Sequence, residues 1–275
     1  MKSKKKITLR ASSIIYACLV YIFLYLPIII IILFSFNSGK STSSFAGFTL
    51  DGYVKMFQNE QLLESFTNTI IVAISSTFLS TVIGTIAAVG MYRYNFKGKG
   101  IIDSLLYIPI VIPEVVMAIS LVMLFNMFNI TLGMLTVIMA HVTFCLPFVI
   151  ITVRSRMAGF DKHVEEAAMD LGANRVKTFM TITIPIIAPG ILAGAMLSLS
   201  LSLDDVIISS FTAGTTSMFP NFVYGQLRRS FVGSDIHALS TLIIIGTLLI
   251  MILSNYFERR ADKKLLGEEI TEVDK

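Results

Sequence analysis

The chain has 275 residues, a formal charge of +4 and a pI near 9.0. With 55% hydrophobic residues, 15% charged residues and a mean hydropathy of +0.78, it is too apolar for a water-soluble fold, which places the excess in lipid. No basic stripe interleaved with aromatics points to nucleic acid, and Cys18 and Cys145 stand in apolar runs without disulfide or metal-ligand spacing.

A membrane-crossing helix needs about 20 largely apolar residues, and six stretches in chain order meet that length. A basic tail, 1–10, precedes a first span at about 11–36 with no charge between Arg10 and Lys40. Its 26 residues exceed the roughly 7–15 of a signal-peptide core, and no small-residue cleavage site closes it. Gly39-Lys40-Ser41-Thr42 resembles the end of a phosphate-binding loop, but Phe34 stands where its first glycine belongs. The second span covers about 65–92. Between Asp103 and Arg154 the only acidic, basic or histidine side chains are Glu114 and His141, and Asn126, Asn129 and Gly133 divide the stretch into helices of about 104–127 and 132–153. A fifth span follows at about 182–203 and a sixth at about 238–257. Residues 206–236 start apolar and become turn-rich, which allows a partial or re-entrant helix there.

Lysine and arginine set the orientation. The tail before the first span carries five, the successive connections carry two, three, none, five and two, and five follow the last span. Alternate compartments therefore hold 18 and four, which puts both termini in the cytoplasm.

The connection at 154–181 is the most ordered polar segment. Its charges run Arg154, Arg156, Asp161, Lys162, Glu165, Glu166, Asp170, Arg175, Lys177, with Val164, Ala167, Ala168, Leu171, Val176 and Phe179 forming a narrow apolar face. This pattern predicts a short surface helix suited to a groove on another protein, with Gly172 ending a helical segment or letting backbones approach. Pro185 then falls in the first turn of the next span.

Within the membrane, a charged side chain costs about 2.5–3.5 kcal/mol on insertion scales, so each one marks a pathway or a buried pair. Glu114 follows Pro109 and Pro113, and a continuous helix would carry it about 16 Å beyond Asp103, near mid-membrane. A substrate-path role and a structural role, bonding freed backbone groups, fit Glu114 equally. Asp204 and Asp205 close the fifth span, where adjacent side chains point about 100° apart, so only one faces a central path; Asp204 is the favoured one. His141 reads as a residue that satisfies a neighbouring helix rather than a proton relay.

Two strings carry a family resemblance. Glu166-Ala167-Ala168, three residues, Gly172, nine residues, Ile182, one residue and Ile184-Pro185 resembles the EAA loop of the inner-membrane permease subunits of bacterial ABC importers, with Ile in place of the Leu that commonly precedes the proline. The block from Ser202 to Gly214, SLDDVIISSFTAG, is similar to spermidine/putrescine importer permeases of the PotC type. The resemblance implies an all-α polytopic membrane protein of six transmembrane helices, like type I importer permeases. It would comprise tail 1–10, a permease domain 11–257 with its coupling loop at about 154–185, and a cytoplasmic tail 258–275. It further implies that Glu166, Ala167, Ala168, Gly172 and Pro185 couple to separate ATP-binding subunits, which hold ATP and magnesium, so that this chain needs no cofactor and catalyses nothing itself. The other implied partners are a second, PotB-like permease, an external polyamine-binding protein and the bilayer of the bacterial inner membrane. For polyamines, flexible chains of ammonium groups, Glu114, Asp204 and Asp205 are the path candidates, since cations want spaced carboxylates. The alternatives are an ABC permease for another small solute or a stand-alone secondary transporter.

Overall fold

A computed structural model describes residues 2–39, 44–161, 163–228, 232–249 and 252. Helices follow one another as α1 (Lys2–Phe34), α2 (Asp51–Gln58), α3 (Glu60–Arg93), α4 (Lys99–Val111), α5 (Glu114–Met127), α6 (Met134–Met157), α7 (His163–Asp170) and α8 (Arg175–Thr178). A π-helical turn, Phe179–Thr183, leads into α9 (Ile184–Leu203), and α10 (Ile207–Thr212), α11 (Phe219–Arg228) and α12 (Ser234–Leu249) complete the order. Among the described residues the only extended pairing is an isolated bridge between Asn37 and Phe48. Among the described residues four helical runs are long and apolar enough to cross a membrane: Ser13–Phe34, Glu60–Arg93, Met134–Met157 and Arg175–Leu203. The expected sixth span, 238–257, starts in α12 and continues into residues outside those described, as does the tail 258–275.

The third span departs from the sequence reading. In place of one helix over 104–127 there are two, α4 and α5, bent by 111° at their junction. The cause is local. Pro113 has no N–H to donate and forces the preceding residue out of the helical region, so Ile112 is extended (φ −70°, ψ 137°). The 16 Å extrapolation along a straight axis from Asp103 to Glu114 therefore does not hold. The fifth span also begins earlier than expected, because helical structure is nearly continuous from Arg175 to Leu203. The π-helical turn sits directly ahead of Pro185, which lacks the N–H that a regular helix would bond to Thr181.

The chain divides into two compact units, Glu64–Gly225 and the remainder, Met1–Leu63 with Gln226–Lys275. In the second of these, α1 presents exposed Leu, Ile, Phe and Tyr side chains from Ser13 onward, the surface of a helix whose solvent is hydrocarbon. Asn59 Nδ2 donates to Asp235 Oδ2 at 2.8 Å, Ser35 and Tyr53 hydroxyls bond at 3.0 Å, and the Phe36 and Phe48 rings stack at 5.2 Å.

The unit Glu64–Gly225 is built around α6, whose buried stripe includes Val137, Ala140, His141, Phe144, Cys145, Val149, Val153 and Met157. Steps of three and four residues keep that stripe on one face. One cluster joins Ala88 and Val89 of α3, Val149 and Val153 of α6 and Ile187 of α9; another joins Ala118 of α5, Ala140 and Phe144 of α6 and Ile208 of α10. Glycine sets the close approach. A Cβ on Gly84 would lie 2.7 Å from Val149 Cγ1, and one on Gly190 would lie 2.6 Å from Arg156 Cβ. Gly84→Ala and Gly190→Ala are expected to destabilise the purified chain in detergent by about 1–3 kcal/mol through overpacking. Gly90, with nothing within 4 Å, should accept alanine without loss in the same thermal melt.

Candidate functional site

Two polar assemblies lie within Glu64–Gly225. The first surrounds the break between α9 and α10. The helix stops at Leu203, and Asp205, two residues ahead of α10, turns its carboxylate onto the first N–H groups of that helix. Its Oδ1 accepts from Ile208 N at 3.1 Å, and its Oδ2 from Ser209 N at 2.7 Å and Ser209 Oγ at 2.8 Å. These donors have no partner inside a helix, and the partial positive charge there favours an anion.

His141 of α6 meets the same carboxylate. Its Nε2 is 3.2 Å from Asp205 Oδ2 and 3.1 Å from Ser209 Oγ, and its Nδ1 is 2.7 Å from Ser202 Oγ. Ser202 in turn bonds Ser76 of α3 at 3.0 Å, and one turn along each helix Ser80 bonds Ser198 at 2.9 Å. The order Asp205, His141, Ser202 has the residue types of a hydrolytic triad, but Ser202 is 1% exposed and its hydroxyl faces Ser76. No acyl group reaches it, and the chain of bonds instead ties α3, α6, α9 and α10 together.

The three sequence-predicted acids gather at this break but differ in exposure. Asp205 is buried, Asp204 is exposed, and Glu114, in the first turn of α5, is half-buried. Glu114 lies close enough to interact electrostatically with both aspartates. Two carboxylates therefore remain open beside a third whose oxygens are occupied. His141, expected from the sequence to satisfy a neighbouring helix, does so here as the residue that occupies Asp205.

The second assembly is the polar connection. It forms two helices, α7 and α8, rather than one. Gly172 adopts φ +89°, and the bonds from Gly172 N to Met169 O (2.9 Å) and from Ala173 N to Ala168 O (3.0 Å) make a Schellman stop. Asn174 then caps α8, accepting from Lys177 N at 2.8 Å. Glu166 is exposed and bonds His163 Nδ1 at 3.1 Å; Ala167 is exposed, Ala168 half-buried, and Pro185 exposed in the first turn of α9. Leu171 is 90% exposed and Val176 68%, leaving an apolar surface uncovered by this chain. The neighbouring Glu165, to which the sequence reading gave no role, is the buried acid of the segment and pairs with Arg93. Two adjacent glutamates look alike in sequence, and only the turn of α7 separates an inward from an outward one.

Residues 80–266 match the family described as binding-protein-dependent transport system inner membrane component. The spermidine/putrescine transport system permease protein PotC of Escherichia coli strain K12 is 38% identical over 250 residues, which span 90% of this chain and 94% of that protein. PotC of Haemophilus influenzae is 37% identical over 242 residues (88% and 94%), and the putrescine transport system permease protein PotI of E. coli strain K12 is 34% identical over 256 residues (90% and 91%). Among solved structures, a chain of a bacterial ABC transporter involved in the import of alginate superposes with a TM-score of 0.71 at 16% identity, covering 90% of this chain and 96% of that one. A chain of the MetNI methionine ABC transporter in an inward-facing conformation gives 0.61 at 16% identity, covering 73% and 95%. At those identities the structures establish a shared fold, that of ABC transporter chains, while the family match and the relatives agree over most of the chain's length. The chain is a multi-pass membrane protein and belongs to the family of binding-protein-dependent transport system inner membrane components.

Proposed function

We propose that this chain is the permease subunit of an ATP-driven importer of polyamines, forming half of a translocation path whose other half is a second permease. The observation that carries the reading is the 34–38% identity, over about nine-tenths of the chain, to permeases named for spermidine and putrescine. The chemistry of the α9–α10 break fits it. Glu114 and Asp204 offer carboxylates at a place where a helix is interrupted, and a linear polyamine presents ammonium groups that charge-assisted hydrogen bonds to such acids stabilise. Asp205 serves this site indirectly: by capping α10 and holding His141, it keeps the break in one place.

Coupling is assigned to α7 and α8. Glu166 and Ala167, with the exposed Leu171 and Val176, form a surface for a groove on an ATP-binding subunit, and Gly172 lets the chain reverse beside it. ATP and magnesium belong to that partner, and an external polyamine-binding protein delivers the substrate. Both termini lie in the cytoplasm in this reading, as the distribution of lysine and arginine requires.

The test is reconstitution of the complex that copurifies with this chain, followed by ATP hydrolysis with and without a spermidine-loaded binding protein. Stimulation by spermidine or putrescine is the expected result. An ATPase that copurifies and responds to a different solute would overturn the polyamine assignment, and the absence of any ATPase would overturn the coupling assignment.

A further inference from the structure

Beyond the acids and the EAA-like string, the base of α9 holds a charged cluster drawn from three separate elements. Arg93, the last residue of α3, directs Nη2 at Glu165 Oε1 of α7 and donates from the same nitrogen to Thr183 Oγ1 of the π-helical turn at 2.8 Å. The Thr183 hydroxyl donates onward to Glu165 Oε1, so the three side chains close a ring of hydrogen bonds. The Arg93 guanidinium also lies over the Phe179 ring, 5.7 Å from its centroid. Glu165 is 9% exposed and Thr183 fully buried.

This arrangement differs from the pairings of the outer surface. Glu166 and His163 are largely exposed, and an ion pair of that kind contributes little. The Arg93–Glu165 pair is shielded, so parting its members leaves a buried charge without its partner. It also spans a mechanical junction: α7 carries the surface assigned to the ATP-binding subunit, while Thr183 stands at the foot of the helix that stops just before Asp204. From Thr183 to Asp204 is 21 residues, about 32 Å of continuous helix.

We infer that Arg93, Glu165 and Thr183 form a clamp that makes α7 and α9 move together, transmitting displacement of the coupling surface along α9 to the break that holds Asp204 and Glu114. The inference rests on the assignment of α7 to the coupling surface. Arg93 and Glu165 are positioning residues in this scheme, since they touch neither nucleotide nor transported solute. The π-helical turn places Thr183 on both partners at once, and such turns recur inside helices at functional sites. Without the clamp, α7 would still fit its groove, but its movement would reach α9 through the turn from Gly172 to Asn174 and the packing of α7 on the π-helical turn, with no charged tie between them.

The experiment uses the complete complex in proteoliposomes and reads spermidine imported per ATP hydrolysed. Glu165→Gln and Arg93→Gln should each lower that ratio by about tenfold, a coupling loss in the range typical of linked sites. Exchanging the charges, with Arg93→Glu and Glu165→Arg together, should recover most of it, which a residue that merely fills space would not do. Thr183→Val keeps the volume, removes only the bridging hydroxyl, and should give an intermediate ratio even if a charge variant fails to assemble. Wild-type ratios in the single variants, or an exchanged pair no better than either single, would overturn the clamp. If the wild-type chain holds no ATP-binding subunit at all, the coupling assignment itself fails, and the clamp with it.

Discussion

Spermidine uptake by a complex carrying Glu114→Gln and Asp204→Asn together is expected to require at least tenfold more substrate for half-maximal rate, with normal amounts of assembled complex. A hydrogen bond to a charged group contributes about 1.5–3 kcal/mol, and about 1.4 kcal/mol is a factor of ten in affinity. Each substitution removes a charge while keeping the shape and an acceptor oxygen, so each single variant should raise the KM for uptake by about tenfold. Neither side chain is needed to close the fold. Asp204 is exposed, and Glu114 sits in the first turn of α5, where glutamine still accepts a hydrogen bond. Uptake kinetics at saturating binding protein provide the check, and an unchanged KM in both single variants would remove these carboxylates from the path.

Asp205→Ala should act on stability instead. The substitution removes the acceptor for Ile208 N, Ser209 N and Ser209 Oγ and strips His141 Nε2 of its carboxylate partner, all at buried positions. Each buried polar group left without a partner costs about 1–3 kcal/mol, and the groups share one network, so a total of about 3–5 kcal/mol is expected. The purified complex should melt at a clearly lower temperature and be recovered in smaller amounts. Asp205→Asn, which retains one acceptor oxygen, should fall between this variant and the wild type. The contrast with Asp204 decides the matter: two adjacent aspartates differ in role because one is capped inside the protein and the other is not. If Asp205→Ala melts with the wild type while its uptake KM rises, Asp205 belongs to the substrate path and the structural assignment is wrong.

That Asp204 and Asp205 point in different directions follows from helical geometry alone, as does the tilt of preference to one of them. That Asp205 is the one turned inward depends on His141, which lies more than sixty positions earlier in the chain and becomes its neighbour only because α6 packs against α9 and α10. The same holds at the coupling surface. The spacing from Glu166 to Pro185 was readable as a motif, whereas the pairing of Glu165 with Arg93 joins the end of one helix to the first turn of another and has no local signal.

The break in the third span was partly legible. Pro109 and Pro113 announced a weakened helix, and the extended backbone at Ile112 is the standard consequence of a following proline. The 111° bend between α4 and α5 was not, because the direction taken after a break is set by what the second helix packs on, here α10 and α6 through Ala118, Phe144 and Ile208.

What the residues determined by themselves was the solvent of the chain, the positions of most of its apolar helices and the acids that stand among apolar runs. These are consequences of hydrophobicity, backbone freedom and charge, which act on each segment wherever the rest of the chain lies. Only the tertiary structure decided which acids are open and which are occupied, that the partner of His141 is Asp205, and that α3, α7 and the foot of α9 share one hydrogen-bonded cluster. Those outcomes depend on distances between segments far apart in sequence, and in a low-dielectric interior a few ångströms separate a paired charge from an unpaired one.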